Sequence, residues 1–95
     1  MKKMFLVFLI TMFLPNNAFS NCYVDYKAKK NNPLRLHYGI SKIKTDLCQT
    51  RNAIELDLES RLQNSGWILL KLLDVFGDEG LNERKDSAGI YFLKY

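Results

Sequence analysis

The spacing of the apolar residues changes once along this chain, and that change restricts the folds open to it. In "CYVDYKAK", residues 22–29, Cys22, Val24, Tyr26 and Ala28 alternate with Tyr23, Asp25, Lys27 and Lys29. In "LRLHYGISKI", residues 34–43, Leu34, Leu36, Tyr38 and Ile40 alternate with Arg35, His37, Gly39 and Ser41. A period of two, with aromatic and β-branched residues, is the pattern of a half-buried strand. Between them "KKNNP" supplies turn chemistry: asparagine tolerates positive φ, and proline opens a new segment. The two strands are expected to form an antiparallel hairpin. On this alternation His37 and Arg35 point away from any helix that covers the apolar face.

From residue 52 the period lengthens. Ile54, Leu58 and Leu62 recur at i, i+4 and i+8, which makes a helical seam. Asn52 followed by Glu55 resembles a capping box, and Gly66 with Trp67 resembles a glycine-terminated end and its apolar partner. The spacing predicts a helix over 51–65. "WILLKLLDVF", residues 67–76, is apolar on both alternating faces and reads as a central strand. "GDEGLNERKDSAG", residues 77–89, is rich in charge and glycine and reads as a long exposed hairpin loop. "GIYFLKY", residues 89–95, reads as a last strand. The expected fold class is α+β: a four-stranded antiparallel sheet with one helix on one face, in the order β-β-α-β-β, with no repeats and no linker.

The first twenty residues carry a different signal. Lys2 and Lys3 precede the apolar run "MFLVFLITMFL", residues 4–14. Eleven residues fall short of the roughly 20 that cross a bilayer as a helix, but they fit the apolar region of a secretory signal. Ala18 and Ser20 place small residues at −3 and −1 of a cut after Ser20. The expectation is an export signal over 1–20 and a single domain over 21–95, periplasmic or extracellular once cleaved, with no stable membrane span. Asn21 precedes Cys22, and lipid attachment would require a small residue there.

A domain of this size buries only about 60% of the surface of its unfolded chain and usually needs a staple. Cys22 and Cys48 are the two cysteines, and an oxidising compartment pairs thiols. Their bond would close a loop of about 27 residues, worth roughly 3–4 kcal/mol on the chain-entropy account. Two cysteines and one histidine at these positions match no metal-ligand spacing. The net charge of +4 is too mild for a nucleic-acid face. It is also uneven: residues 21–52 carry +5 and residues 53–95 carry −3.

Leu58, Leu62, Gly66, Trp67, Leu69, Val75, Tyr91, Phe92 and Lys94 follow a recognisable order. A leucine helix runs into Gly-Trp, then an apolar strand, a variable loop and an aromatic end beside a basic residue. In this order residues 53–95 resemble a small bacterial family of uncharacterised function. The resemblance implies the fold of that half and no activity.

Little in the chain points to catalysis. His37 is the only histidine, and it has no placed carboxylate or serine with which to build a triad. Asp74, Asp78, Glu79, Glu83 and Asp86 do not follow the spacing of a helix-loop-helix calcium site. No phosphate loop or nucleophile elbow is present. The stronger signal is the sheet face that one helix cannot cover. If Ile68, Leu70 and Leu72 face the helix, then Trp67, Leu69 and Leu73 do not, and Tyr91, Tyr95 and His37 could join them. An exposed apolar-aromatic patch marks a contact surface. The expected function is that of a small exported, non-catalytic interaction module acting through Trp67, Leu69, Leu73, Tyr91, Tyr95 and His37. Its partner would be a second copy or another envelope protein, with no nucleic acid and no cofactor. The alternative is a binder of a small apolar ligand.

Overall fold

The computed structural model describes residues 20–95; residues 1–19 of the expected export signal lie outside them. Three strands form one antiparallel sheet: β1 (Cys22–Lys30), β2 (Arg35–Ile43) and β3 (Ile68–Phe76), in the order β2-β1-β3. Helix α1 (Arg51–Gln63) lies between β2 and β3 in sequence, and the short helix α2 (Asn82–Ala88) follows β3. Among the described residues the class is α+β, as expected, with three strands rather than four and two α-helices rather than one.

The hairpin forms where the turn chemistry places it. Lys30 pairs with Arg35 and Cys22 with Ile43, and Asn32 sits at φ 60 within the connection. The register decides the faces. Every pair in it joins an even residue of β1 to an odd residue of β2, or the reverse. Cys22, Val24, Tyr26 and Ala28 therefore share a face with Ile43, Ser41, Gly39 and His37. That face packs on α1. His37 thus lies under the helix and is buried, not turned away from it, while Tyr38 and Ile40 occupy the opposite face. A shift of one residue exchanges the two sides of a strand, and the alternation of β2 alone cannot say which side α1 takes. Gly39 stands opposite Tyr26, and a Cβ there would lie 2.5 Å from the Tyr26 hydroxyl. The bare glycine makes room for the ring.

The central strand is β1, and β3 is an edge, which corrects the reading of 67–76 as central. Tyr23 and Asp25 are buried on the face opposite α1, so β1 is covered on both sides. The β1–β3 register slips twice, between Val24 and Tyr26 and between Lys27 and Ala28. Each slip changes the parity of β3. As a result Leu69, Leu72 and Val75, three residues apart, all reach the α1-side core. Ile68 and Leu70, expected under the helix, are about half exposed. Bulges of this kind also interrupt an edge and discourage further strand pairing.

Helix α1 starts and stops on local signals. Thr50 caps it, its hydroxyl accepting from the Ala53 amide at 3.1 Å, two residues before the expected Asn52 box. Ile54, Leu58 and Leu62 are buried as the seam requires. At the far end Gly66 has φ 84, the Trp67 amide donates to the Leu62 carbonyl and the Gly66 amide to the Gln63 carbonyl. This is the glycine-ended pattern that satisfies the last carbonyls of a helix. A Cys22–Cys48 disulfide, Cα–Cα 6.5 Å, ties the start of β1 to the segment before α1.

The stretch after β3 departs most from expectation. Residues 77–89 are not an open loop: α2 folds back on the second face of the sheet, where Ala88 and Leu81 pack with Tyr23, Ile40 and Phe76. Nor do residues 89–95 form a strand. A turn at Gly89–Tyr91 and a single parallel bridge from Phe92 to Ile40 lead into Leu93 at φ 55. The left-handed residues Gly89 and Leu93 break the extended run. The tail wraps the outer edge of β2, placing Phe92 on the α2 side and Tyr91 and Tyr95 on the α1 side.

Candidate functional site

Four of the six expected contact residues are brought together, but as a closed cluster. The His37 ring stacks on Tyr91 at 3.8 Å between centroids and meets the edge of Trp67 at 4.3 Å. Its Nε2 is 2.9 Å from the Tyr26 hydroxyl. The Trp67 indole N–H donates to the Tyr95 hydroxyl at 3.0 Å. The Tyr95 main-chain oxygen accepts from Ser41 at 3.0 Å and from the Arg61 guanidinium at 3.1 Å. Trp67 is 4% exposed, and the Lys30 ammonium lies over its ring at 4.6 Å. Leu69 is half-buried at the margin of the same core, whereas Leu73 is half-buried at the bulge beside Asp25. Trp67, Tyr91, Tyr95 and His37 therefore bind the tail to the α1 side of the sheet, with Trp67 and His37 buried and the two tyrosines half-buried.

Burial pulls the His37 pKa down to about 4, and the nearby Lys30 charge adds to the effect. The ring is neutral near pH 7. Its Nδ1 is buried without a partner among the described residues. A neutral ring wedged between Tyr91 and Trp67, with no carboxylate to orient it, serves as a packing element. Burial likewise raises the Tyr26 hydroxyl. Among the described residues no three of the His, Cys, Asp and Glu side chains stand close enough to hold a metal ion.

A second polar centre anchors α2. The buried Asp25 carboxylate accepts from the Tyr38 hydroxyl at 2.8 Å, the Asp74 amide at 2.8 Å and the Arg84 Nε at 3.2 Å. Arg84 also lies over the Phe76 ring at 4.2 Å and donates to the Gly80 carbonyl. Burial, and then the bond to Asp25, push the Tyr38 hydroxyl up to about 12. With three donors Asp25 is the point that clamps the second layer.

The uncovered surface lies beyond that clamp. Helix α2 shields only the half of the second face that holds Tyr23, Asp25 and Ile40. Toward the hairpin tip two cross-strand rows stay open: Leu36–Lys29–Ile68 and Tyr38–Lys27–Lys71. Leu36 is 66% exposed, Leu70 50% and Ile68 48%. Lys27, Leu36, Tyr38 and Leu70 line a shallow groove of about 320 Å³ here, with Ala28 and His37 at its floor. The expected apolar surface thus exists on different residues. Ile68 and Leu70 were visible in the sequence as apolar; the slip between Leu72 and Leu69, with Leu70 as its extra residue, puts Ile68 on the side opposite the inward Leu72.

No family model, no curated protein and no solved structure matches the chain.

Proposed function

We propose that this chain is a small exported, non-catalytic interaction module that docks through the open half of its sheet. The observation that carries the reading is the exposure of Leu36, Ile68 and Leu70, all about half exposed or more, on the half of the sheet that neither α1 nor α2 covers. Exposed apolar surface of this kind marks a contact site. Export after cleavage at Ser20 agrees with the Cys22–Cys48 disulfide, which is at home in an oxidising compartment. The partner would be a second copy, another envelope component or the envelope surface. A small apolar ligand in the groove is the second reading, favoured by its volume of about 320 Å³, at the lower end for ligand sites.

The test compares substitutions on and off the face. Leu36→Asp with Leu70→Asp should abolish self-association in sedimentation velocity, or retention in the envelope fraction. Leu56→Asp, at an exposed leucine of α1, should change neither. A protein that is monomeric and unretained, with or without the substitutions, refutes the interaction reading. A ligand whose thermal shift disappears in the double variant would select the second reading.

A further inference from the structure

The open half-face mixes apolar side chains with one sign of charge. Lys29 stands between Leu36 and Ile68, and Lys27 pairs directly with Lys71. Like charges opposite each other across a strand pair repel, yet among the described residues none of these three lysines forms an ion pair. Two acids of the sheet, Asp25 and Asp74, are engaged elsewhere. Asp25 holds Arg84, Tyr38 and the Asp74 amide, and Asp74 also lies 3.5 Å from Arg84.

The topology extends this asymmetry to one end of the sheet. The hairpin tip and the start of β3 come to the same end of the sheet, because Lys29 pairs with Ile68. Lys27, Lys29, Lys71 and the tip leucines Leu34 and Leu36, 65% and 66% exposed, gather at that end. No acidic residue occurs in 26–45 or 60–73, the segments that form this end of the sheet. A surface of one charge sign favours a negative partner.

We infer that the occupant of the open half-face is an anionic lipid bilayer. The inference rests on the interaction reading above and names its partner. Leu34, Leu36, Ile68 and Leu70 would enter the boundary between headgroups and acyl chains, while the lysine stems lie along it and their ammonium groups meet the phosphates. The polar groups of the surface favour lipid over a folded protein partner. The Tyr38 hydroxyl is committed to Asp25, the β3 edge is interrupted by two bulges, and the Arg51 guanidinium occupies the Leu72 carbonyl. What remains is charge and apolar area without directional hydrogen bonding. A fluid, negatively charged surface meets those terms without shape complementarity.

The experiment is vesicle flotation of the purified exported protein. Vesicles of phosphatidylcholine alone are compared with phosphatidylcholine containing phosphatidylglycerol, at low and high salt. The protein should float with the anionic vesicles only and be released by salt, since surface charges are screened. Lys27→Gln, Lys29→Gln and Lys71→Gln should each weaken partitioning by about five-fold, the factor that one basic residue near an anionic surface supplies. Leu36→Asp with Leu70→Asp should abolish it. Lys42→Gln, at the other end of β2, and Leu56→Asp should leave it unchanged. Equal partitioning to both vesicle types, none to either, or equal losses for Lys42→Gln and Lys27→Gln would overturn the lipid assignment. If flotation fails while the Leu36/Leu70 variant still disrupts a protein association, the interaction reading stands and only the lipid partner falls. If the face matters in neither assay, both fall.

Discussion

His37 makes the protein acid-sensitive through one identifiable ring. Its folded-state pKa is about 4, against 6.5 for an unhindered histidine. The unfolded chain therefore takes up the proton first as pH falls. The stability owed to the neutral ring is complete above pH 6.5 and is lost as pH drops from 6.5 through about 4. One pKa unit corresponds to about 1.4 kcal/mol, so the full displacement would amount to about 3 kcal/mol. Partial access of solvent to the ring and to Lys30 reduces this to about 2 kcal/mol. Only one histidine and one tryptophan occur in the chain, and their rings are 4.3 Å apart. Urea titrations followed by Trp67 fluorescence at pH 7 and pH 4.5 would read the loss, and His37→Phe provides the control. The variant keeps a ring between Tyr91 and Trp67 but cannot titrate. It should be less stable at pH 7, where Tyr26 loses its partner, and should lose about 2 kcal/mol less than the wild type on acidification. An imidazole resonance that titrates near 6.5 in the folded protein would refute the reasoning, as would identical pH slopes for the two proteins.

Reducing the Cys22–Cys48 bond, or replacing both cysteines by serine, should lower stability by about 3 kcal/mol, read as a drop in chemical-denaturation midpoint; an unchanged midpoint would show that the loop is not constrained by the bond. Gly39→Ala should destabilise by about 1–3 kcal/mol through overpacking, because the new Cβ meets the Tyr26 hydroxyl at 2.5 Å; a neutral thermal melt would contradict that register. Arg84→Ala leaves Asp25 buried without its cation and should cost about 3 kcal/mol, with α2 becoming susceptible to limited proteolysis before the sheet does; a variant whose α2 stays protected would show that apolar packing alone holds the helix.

Much of the architecture could be read without tertiary information. The hairpin was legible because two alternating runs flank asparagines and a proline, and Asn32 adopts the positive φ that asparagine tolerates. Helix α1 was legible because Ile54, Leu58 and Leu62 mark its buried side and Gly66 its end. The second layer was not. Helix α2 has seven residues, Asn82–Ala88, too few for a periodic apolar stripe. It is held instead by Arg84 reaching Asp25, 59 positions away in sequence. The last strand was a false expectation because the alternation in "GIYFLKY" serves two cores at once: Phe92 goes to one side of β2, and Tyr91 and Tyr95 to the other.

The contact surface shows the same division. By itself the sequence determined the extended runs of β1, β2 and β3, the buried seam and glycine end of α1, that Cys22 and Cys48 can pair, and that basic charge collects in residues 21–52. These properties depend on neighbours a few residues apart. Which side of each strand faces α1 was decided only in the tertiary structure. The side is a matter of parity, fixed by the length of the β1–β2 connection and by two single-residue slips between β1 and β3. The β1–β2 register puts His37 inside, and the slip between Leu72 and Leu69 puts Ile68 on the side opposite Leu72, because adding one residue to an edge strand reverses the side chains beyond it.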